Sequence, residues 1–202
     1  HLLYRDGLNR GRGRGEPASA YDAEAEVAFP SGSAWFYRRE AFEAAGGFDA
    51  SMFLYGDDVD LGLAIRRLGW KCVYTPASTA FHRYSQATGA YSATKAYHVE
   101  RNRILVILKH FPVAAIAASP LHTLQRVFWH NVSALTGRGS SGRFVRDGSV
   151  AKLYVLMLRA YIDAARRAAA ARAGRKRLRA LDRAGEARFM QWLDEFAISA
   201  RD

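Results

Sequence analysis

The sequence predicts an α/β domain over residues 1–110, followed by a basic α-helical appendage over residues 111–202. Three observations carry that reading. Short strand-like and helical segments alternate up to His82, the pattern turns helical from Tyr97 onward, and charge is divided unequally. Residues 1–110 hold 14 Lys/Arg against 12 Asp/Glu, whereas residues 111–202 hold 16 against 7, so most of the net +11 lies in the second half. Alternating strand and helix patterns imply layered α/β or α+β packing. A concentrated basic excess implies an anionic partner, for which nucleic acid and an anionic membrane surface are the candidates.

The composition is 50% hydrophobic, enough to form a core, which excludes a disordered chain. A single cysteine, Cys72, excludes an internal disulfide framework and a thiolate zinc cluster, and reads as a small buried hydrophobe. The longest weakly polar stretch, Phe111 to Leu121, is too short to span a bilayer. No secretory leader is visible, and a first residue of His rather than Met suggests a segment of a longer protein.

Residues 5–26, rich in Arg, Gly, Asp and Glu, read as an exposed loop. Ala34–Tyr37 suits a short strand, and Arg38–Ala45 a short helix with Ala41, Phe42 and Ala45 on one face, stopped by Gly46 and Gly47. An aromatic loop, Met52–Tyr55, leads to a helix from Asp58 to Leu68. Its apolar stripe is Leu61, Ala64, Ile65 and Leu68, with Arg66 and Arg67 facing away. Gly69 ends it, Lys71–Tyr74 returns as a strand, and Thr79–His82 suits another. Pro112 breaks the helical run that starts near Tyr97. Helices are expected over Leu121–Leu135 and Val150–Ala173, separated by a Gly/Ser/Arg loop at 137–148, and a last short helix includes Phe189, Trp192 and Phe196.

The densest chemical signal is Gly56-Asp57-Asp58-Val59-Asp60-Leu61. Three carboxylates in four positions repel one another unless a helix N-terminus or cations offset them. An ordinary Asp cap with acidic first-turn neighbours accounts for the pattern by itself. Context adds a second reading. From Tyr21-Asp22 and Glu26-Val27 the order runs Ser31-Gly32-Ser33-Ala34, Tyr37-Arg38-Arg39-Glu40-Ala41-Phe42, Gly46-Gly47-Phe48-Asp49 and Phe53-Leu54-Tyr55. It continues with Asp57-Asp58-Val59-Asp60-Leu61, Arg66 to Trp70, Pro76, His82 with Ser85, and Arg101-Asn102. No single piece is specific, but the ordered series over residues 21–112 resembles the C-terminal half of the catalytic domain of family-2 glycosyltransferases, especially rhamnosyltransferase-like members.

That resemblance implies a partial glycosyltransferase-A type fold and a single-displacement, inverting transfer from a nucleotide sugar, with dTDP-rhamnose the guided guess. The acceptor would be a glycan or a lipid-linked glycan of cell-envelope polysaccharide synthesis. The family's acidic pair usually reads Glu-Asp with the second member as general base. Asp57-Asp58 matches with the first acid one methylene shorter, which makes Asp58 the expected base and Asp57 an acceptor-orienting group. Asp60 is expected to cap its helix or pair with an arginine. Asp49 is expected to hydrogen-bond acceptor hydroxyls, although a plain helix stop explains its glycines equally well. Arg101 is expected at a diphosphate, or else in a surface ion pair with Glu100 or another acid. His82, 24 residues after Asp58, is expected to ligate a divalent Mn²⁺ or Mg²⁺ ion, or else merely to end a strand.

Asp58-Val59-Asp60 also spells an Asp-X-Asp metal motif, but it opens an amphipathic helix rather than following a strand, and no other such motif occurs. The sugar-nucleotide half is therefore expected to lie outside these residues, leaving this chain inactive alone. The basic run Arg166–Arg179 follows an apolar stripe of Leu153, Leu156, Met157, Ala160 and Tyr161. Together they are expected to rest on an anionic membrane, peripherally at the cytoplasmic face, or to pack on the catalytic domain. Nucleic-acid binding is the lesser alternative, since no recognised nucleic-acid-binding motif is present. A non-catalytic scaffold is the other.

Overall fold

A computed structural model of the chain describes residues 1–83, 89, 92–135 and 150–199. Strands β1 (Leu2–Leu3) and β2 (Asn9–Arg10) pair antiparallel, as do β3 (Ala25–Val27) and β4 (Cys72–Tyr74). The helices are α1 (Arg39–Ala45), α2 (Asp57–Arg67), α3 (Ala93–His110), α4 (Val113–Leu135), α5 (Val150–Leu181) and α6 (Gly185–Glu195). Among the described residues the fold is thus mixed but helix-rich, with two-stranded ribbons in place of a broad sheet.

Two expected strands do not form. Ala34 makes an isolated bridge to Ser31, and residues 35–38 are irregular, with Phe36 almost fully exposed. The Thr79–His82 segment is exposed and irregular. Neither run has a partner edge to receive its ladder groups, so aromatic and β-branched content alone does not produce a strand. The loop expected at 137–148, and Ser85, lie outside the described residues.

α2 is the central element. Val59 and Leu63 enter a core with Leu3, Phe29, Met52, Val106, Phe111, Phe189 and Trp192. Leu61, Ala64, Ile65 and Leu68 enter a second core with Ala41, Ala45 and Leu178. A helix apolar on both sides is buried all round, and the expectation that Arg66 and Arg67 face away is corrected accordingly. They are 3% and 1% exposed. Arg66 donates to Ala28 O (2.9 Å), Val27 O and Glu26 (2.8 Å), and stacks on Trp192 and Phe196. Arg67 donates to His110 O and Asp182, under the Phe189 ring. A guanidinium can be buried this way because its donors are matched by carbonyls and a carboxylate, while its faces meet aromatic rings.

The reading of residues 5–26 as an exposed loop is also corrected at its start. Asp6 is fully buried, receiving Arg126 Nε at 2.7 Å, while Arg103 donates to its carbonyl at 2.9 Å. Glu100 completes the cluster with Arg103 (2.7 Å) and Arg126 (2.9 Å), so two carboxylates meet two guanidiniums across the N-terminal segment, α3 and α4. Burial alone would raise the Glu100 pKa, but Arg126 and Arg103 hold it below its ordinary value.

The second half of the chain does not stand apart from the first. α5 runs along α3, and Leu178, Phe189, Trp192 and Leu193 are core residues. Helix α4 begins at Val113, earlier than expected, and continues through Pro120. Proline removes the donor that Ile116 O would receive, and the Ser119 hydroxyl supplies one at 2.8 Å instead. Helix α5 likewise extends past Ala173 to Leu181.

Gly62 marks where α2 meets the chain after β3. A Cβ there would lie 2.3 Å from Phe29 Cβ. Gly62→Ala is therefore expected to destabilise the fold by about 1–3 kcal/mol despite alanine's better helix propensity, read as a lowered urea midpoint.

Candidate active site

The acidic cluster sits where α2 begins, and the loop before it is held in an unfavourable backbone. Phe53 (φ 58°) and Tyr55 (φ 63°) are non-glycine residues in the left-handed region, and Gly56 follows at φ 82°. Bulky residues adopt such angles only when surroundings compel them. Here the compulsion is Asn102, fully buried on α3, whose Nδ2 donates to the carbonyls of Met52 (2.8 Å), Leu54 (3.0 Å) and Tyr55 (2.5 Å). Arg101 beside it donates Nε to Asn102 Oδ1 (2.8 Å) and Nη2 to Met52 O (2.8 Å) and Ser51 O (3.2 Å).

In the structure Arg101 forms an ion pair with an acid other than Glu100, buried rather than at the surface. It is 4% exposed, and its ion-pair partner is Asp163 on α5, at 3.4 Å, while Glu100 pairs elsewhere. Its donors meet the loop and α5. Arg101 and Asn102 are positioning residues for the turn that delivers Asp57 and Asp58.

Asp58 is half-buried on the first turn of α2. Its Oδ2 accepts from Gly32 N (2.8 Å) and its Oδ1 from its neighbour Val59 N (2.9 Å). The carboxylate is thereby fixed between the Ser31–Ser33 turn and the helix start. A Cβ on Gly32 would lie 3.2 Å from Asp58 Oδ2, so glycine there allows the approach. Burial raises the Asp58 pKa above its ordinary 3.8, against the opposing pull of those two N–H groups. Asp57 is raised as well, by burial first and by Asp58 second. The Tyr37 hydroxyl, buried without a hydrogen-bond partner, has its pKa raised by its own burial and next by the Asp58 charge.

Asp60, one turn on, serves a different cluster. It was expected to cap the helix or meet an arginine, but its partners are Lys109 Nζ at 2.6 Å and His110 Nε2 at 2.7 Å. Lys109 also bonds Asp49 at 2.9 Å, so one buried ammonium joins α2, α3 and the loop after α1. Burial lowers the His110 pKa, against the opposing pull of Asp60, whose Oδ1 lies 2.7 Å from His110 Nε2. Burial opposes ionisation of Asp60, but His110 and Lys109 outweigh it and lower its pKa. Sequence reasoning passed over Lys109 and His110 as a helix end. Their position at the C-terminus of α3, where cations are favoured, was the only available signal.

Asp49 accepts from Ser51 N (3.0 Å) and from Lys109, and lines an open cleft of about 450 Å³ with Gly46, Gly47, Phe48, Gly174 and Arg177. Burial works to raise its pKa, but Ser51 and Lys109 hold it at about 2. The structure thus groups Asp57 with Asp58, and Asp49 with Asp60, on separate partners. His82 is exposed on the irregular stretch after β4. Among the described residues no three His, Cys, Asp or Glu side chains converge as a metal site, so these residues do not by themselves fit a divalent ion and no step is routed through one. Cys72, expected buried, is half-buried.

The segment that builds this site is glycosyltransferase-like. Residues 13–105 match the family described as Glycosyltransferase like family 2. More particularly, 89 residues are 37% identical to N-acetylglucosaminyl-diphospho-decaprenol L-rhamnosyltransferase of Mycobacterium tuberculosis, in strain CDC 1551 / Oshkosh and equally in strain ATCC 25618 / H37Rv. The match covers 44% of this chain and 29% of those relatives, so the chain spans well under half of their length. No solved structure matches the chain significantly.

Two expectations follow from the geometry. Asn102→Asp sets a carboxylate against three carbonyls. It is expected to cost about 3 kcal/mol or more in urea unfolding, because each buried unsatisfied group costs about 1–3 kcal/mol. Asp49 and Asp60 have folded pKa values below the ordinary 3.8, so their stabilisation is present above that pH and is lost as pH falls below it, for Asp49 through about 2. Urea midpoints measured from about pH 5 down to about pH 2 should fall in the wild type. They should fall less steeply in Lys109→Met, from a starting point about 3–5 kcal/mol lower.

Proposed function

We propose that the intact protein is an inverting glycosyltransferase in which this chain supplies the general base and part of the acceptor side. The observation that carries the reading is the Asp58 carboxylate, fixed by the N–H groups of Gly32 and Val59 at the head of α2 inside the family-matched segment. A base must be held within reach of the hydroxyl it deprotonates. Asp58 takes the proton of an acceptor hydroxyl while that oxygen forms a bond to the anomeric carbon. The bond from that carbon to the nucleoside diphosphate breaks with its electron pair leaving on the diphosphate, and configuration inverts. Asp57 orients the acceptor, and the raised Asp58 pKa makes it a better proton acceptor than an ordinary exposed aspartate.

The relative's name supports a deoxyhexose donor, with dTDP-rhamnose the first to try, and a lipid-diphosphate-linked glycan as acceptor. An acceptor of that kind brings the enzyme to a bilayer, at the cytoplasmic face where nucleotide sugars are available. His82 remains the proposed metal ligand, with partners from elsewhere in the intact protein.

The test is nucleoside diphosphate release by the intact gene product with a panel of nucleotide sugars. Asp58→Asn should lower kcat about 10²–10⁴-fold with circular dichroism unchanged. The acid limb of the wild-type kcat profile should lie above the ordinary carboxylate pKa. Turnover that survives Asp58→Asn would make the acidic cluster a helix cap, and no turnover with any donor would favour a scaffold.

A further inference from the structure

The membrane surface expected from sequence was the stripe Leu153, Leu156, Met157, Ala160 and Tyr161 with the basic run after it. The structure uses the stripe and part of the basic run internally. Ala160 is fully buried, and Tyr161 receives Arg103 Nη2 at 3.1 Å against α3. In the basic run, Arg175 donates to Phe111 O, Arg177 to Ala45 O (2.8 Å), Arg179 to Glu186 and Arg167 to Asp163 (3.1 Å).

A different face is left uncovered. On α4, Leu121, Leu124 and Phe128 recur at spacings of three and four and are 68%, 67% and 59% exposed. On α5, Val155, Leu158 and Ile162 repeat the same spacing and are also exposed. The helices are antiparallel neighbours. Tyr154 Oη donates to Asn131 Oδ1 at 3.1 Å, and one turn-pair away Arg103 holds both Thr123 and Tyr161. These side chains bridge the two helices, and each apolar stripe lies on its helix away from the buried residues, Arg126 on α4 and Ala160 and Ala164 on α5.

Among the described residues, the exposed charges beside the α5 stripe have one sign. Arg126 is the sole charged residue of α4 and is buried in the Asp6–Glu100 cluster. Asp163 is the sole acid of α5 and is taken by Tyr97, Arg101 and Arg167. What remains at the surface beside the α5 stripe is Lys152, Arg159 and Arg166, exposed at seven-residue intervals. No helix among the described residues is long and apolar enough to cross a membrane.

We propose that the α4–α5 face is a bilayer-contacting surface that lies in the plane of an anionic lipid membrane. Leu121, Leu124, Phe128, Val155, Leu158 and Ile162 enter the headgroup–acyl boundary, and Lys152, Arg159 and Arg166 meet lipid phosphates. An exposed apolar band of this size on a water-facing helix pair is a binding surface. Cations without acids along its edge, among the described residues, select an anionic lipid over a protein rim of mixed charge. The surface stands whether or not Asp58 is a base; it shares with the proposed function only the lipid-linked acceptor.

The experiment is co-sedimentation of the full chain with vesicles of phosphatidylcholine alone and of phosphatidylcholine mixed with phosphatidylglycerol. Binding is expected to the mixed vesicles and to fall with salt. Leu124→Glu combined with Leu158→Glu should weaken it by about tenfold or more, the equivalent of about 1.4 kcal/mol. The milder pair Leu124→Ser and Leu158→Ser should weaken it in the same direction, with circular dichroism confirming the fold of both. Lys152→Glu with Arg159→Glu should abolish the preference for phosphatidylglycerol. Arg172→Gln with Lys176→Gln, on exposed positions of the basic run, should change binding less than about twofold. The proposal is overturned if the wild type binds neither vesicle, or if the glutamate pair binds as well as the wild type. It is equally overturned if light scattering shows a dimer that Leu124→Glu dissolves while vesicles are ignored. None of these readouts requires sugar transfer, so failure here and failure of the transferase reading are separable.

Discussion

The three hydrogen bonds from Asn102 Nδ2 to the carbonyls of Met52, Leu54 and Tyr55 are the constraint on which the site depends. A chain passing through left-handed conformations at Phe53 and Tyr55 stores backbone strain, and without a compensating anchor it would relax to an ordinary turn. The amide supplies that anchor, and Arg101 fixes the amide's orientation by donating to its oxygen. Because both residues project from α3, the start of α2 is referenced to the helix that carries Lys109 and His110 as well. The same helix thus holds the loop before Asp57 and, two turns on, the Asp60 carboxylate after it. The acidic turn is clamped from both ends, which leaves Asp57 and Asp58 as the pair free of side-chain cations in that clamp.

The division of carboxylates among clusters has an electrostatic logic. Asp60 and Asp49 share Lys109, and their ionisation is favoured. Burial opposes the ionisation of both Asp57 and Asp58, and the Asp58 charge further opposes that of Asp57. Four acids within twelve residues are sorted into a structural pair at depressed pKa and a second pair at raised pKa. Groups with pKa values pushed apart by environment are where acid–base roles are found.

Much of the local structure was legible because it follows from patterns that act over short distances. The α1 stop at Gly46 and Gly47, the stripe of α2, β4 and the last helix around Phe189 and Trp192 all follow local rules, and the structure matches them. The candidate base was legible for another reason, the ordered resemblance across residues 21–112. What was not legible depends on partners far away in sequence. Arg66 and Arg67 look like a solvated face until Val27, Ala28, His110 and Asp182 are brought to them. Asp6 reads as loop until Arg126 reaches it across 120 positions. Arg101 reads as a ligand-binding guanidinium until Met52 O occupies it. Nothing in composition distinguishes an arginine that stitches a fold from one that meets a phosphate, so site assignment from arginine content fails where helix propensity succeeds.

That ambiguity bears directly on the net charge. The excess of cations in the second half implies an anionic partner, yet Arg126, Arg175, Arg177 and Arg179 all satisfy carbonyls or carboxylates within the fold. The informative cations are those left at the surface where acids are absent, along the α5 stripe beside Leu158. Burial of the expected stripe and exposure of its opposite are one event. α5 turns Ala160, Ala164 and Ala171 toward α3, small residues that let the two helices run close together. The larger side chains Val155, Leu158 and Ile162 are thereby presented outward. A helix that spends its small residues on its neighbour and keeps its bulky apolar ones outside presents two contact faces, and among the described residues only the small-residue face is packed on a neighbouring helix.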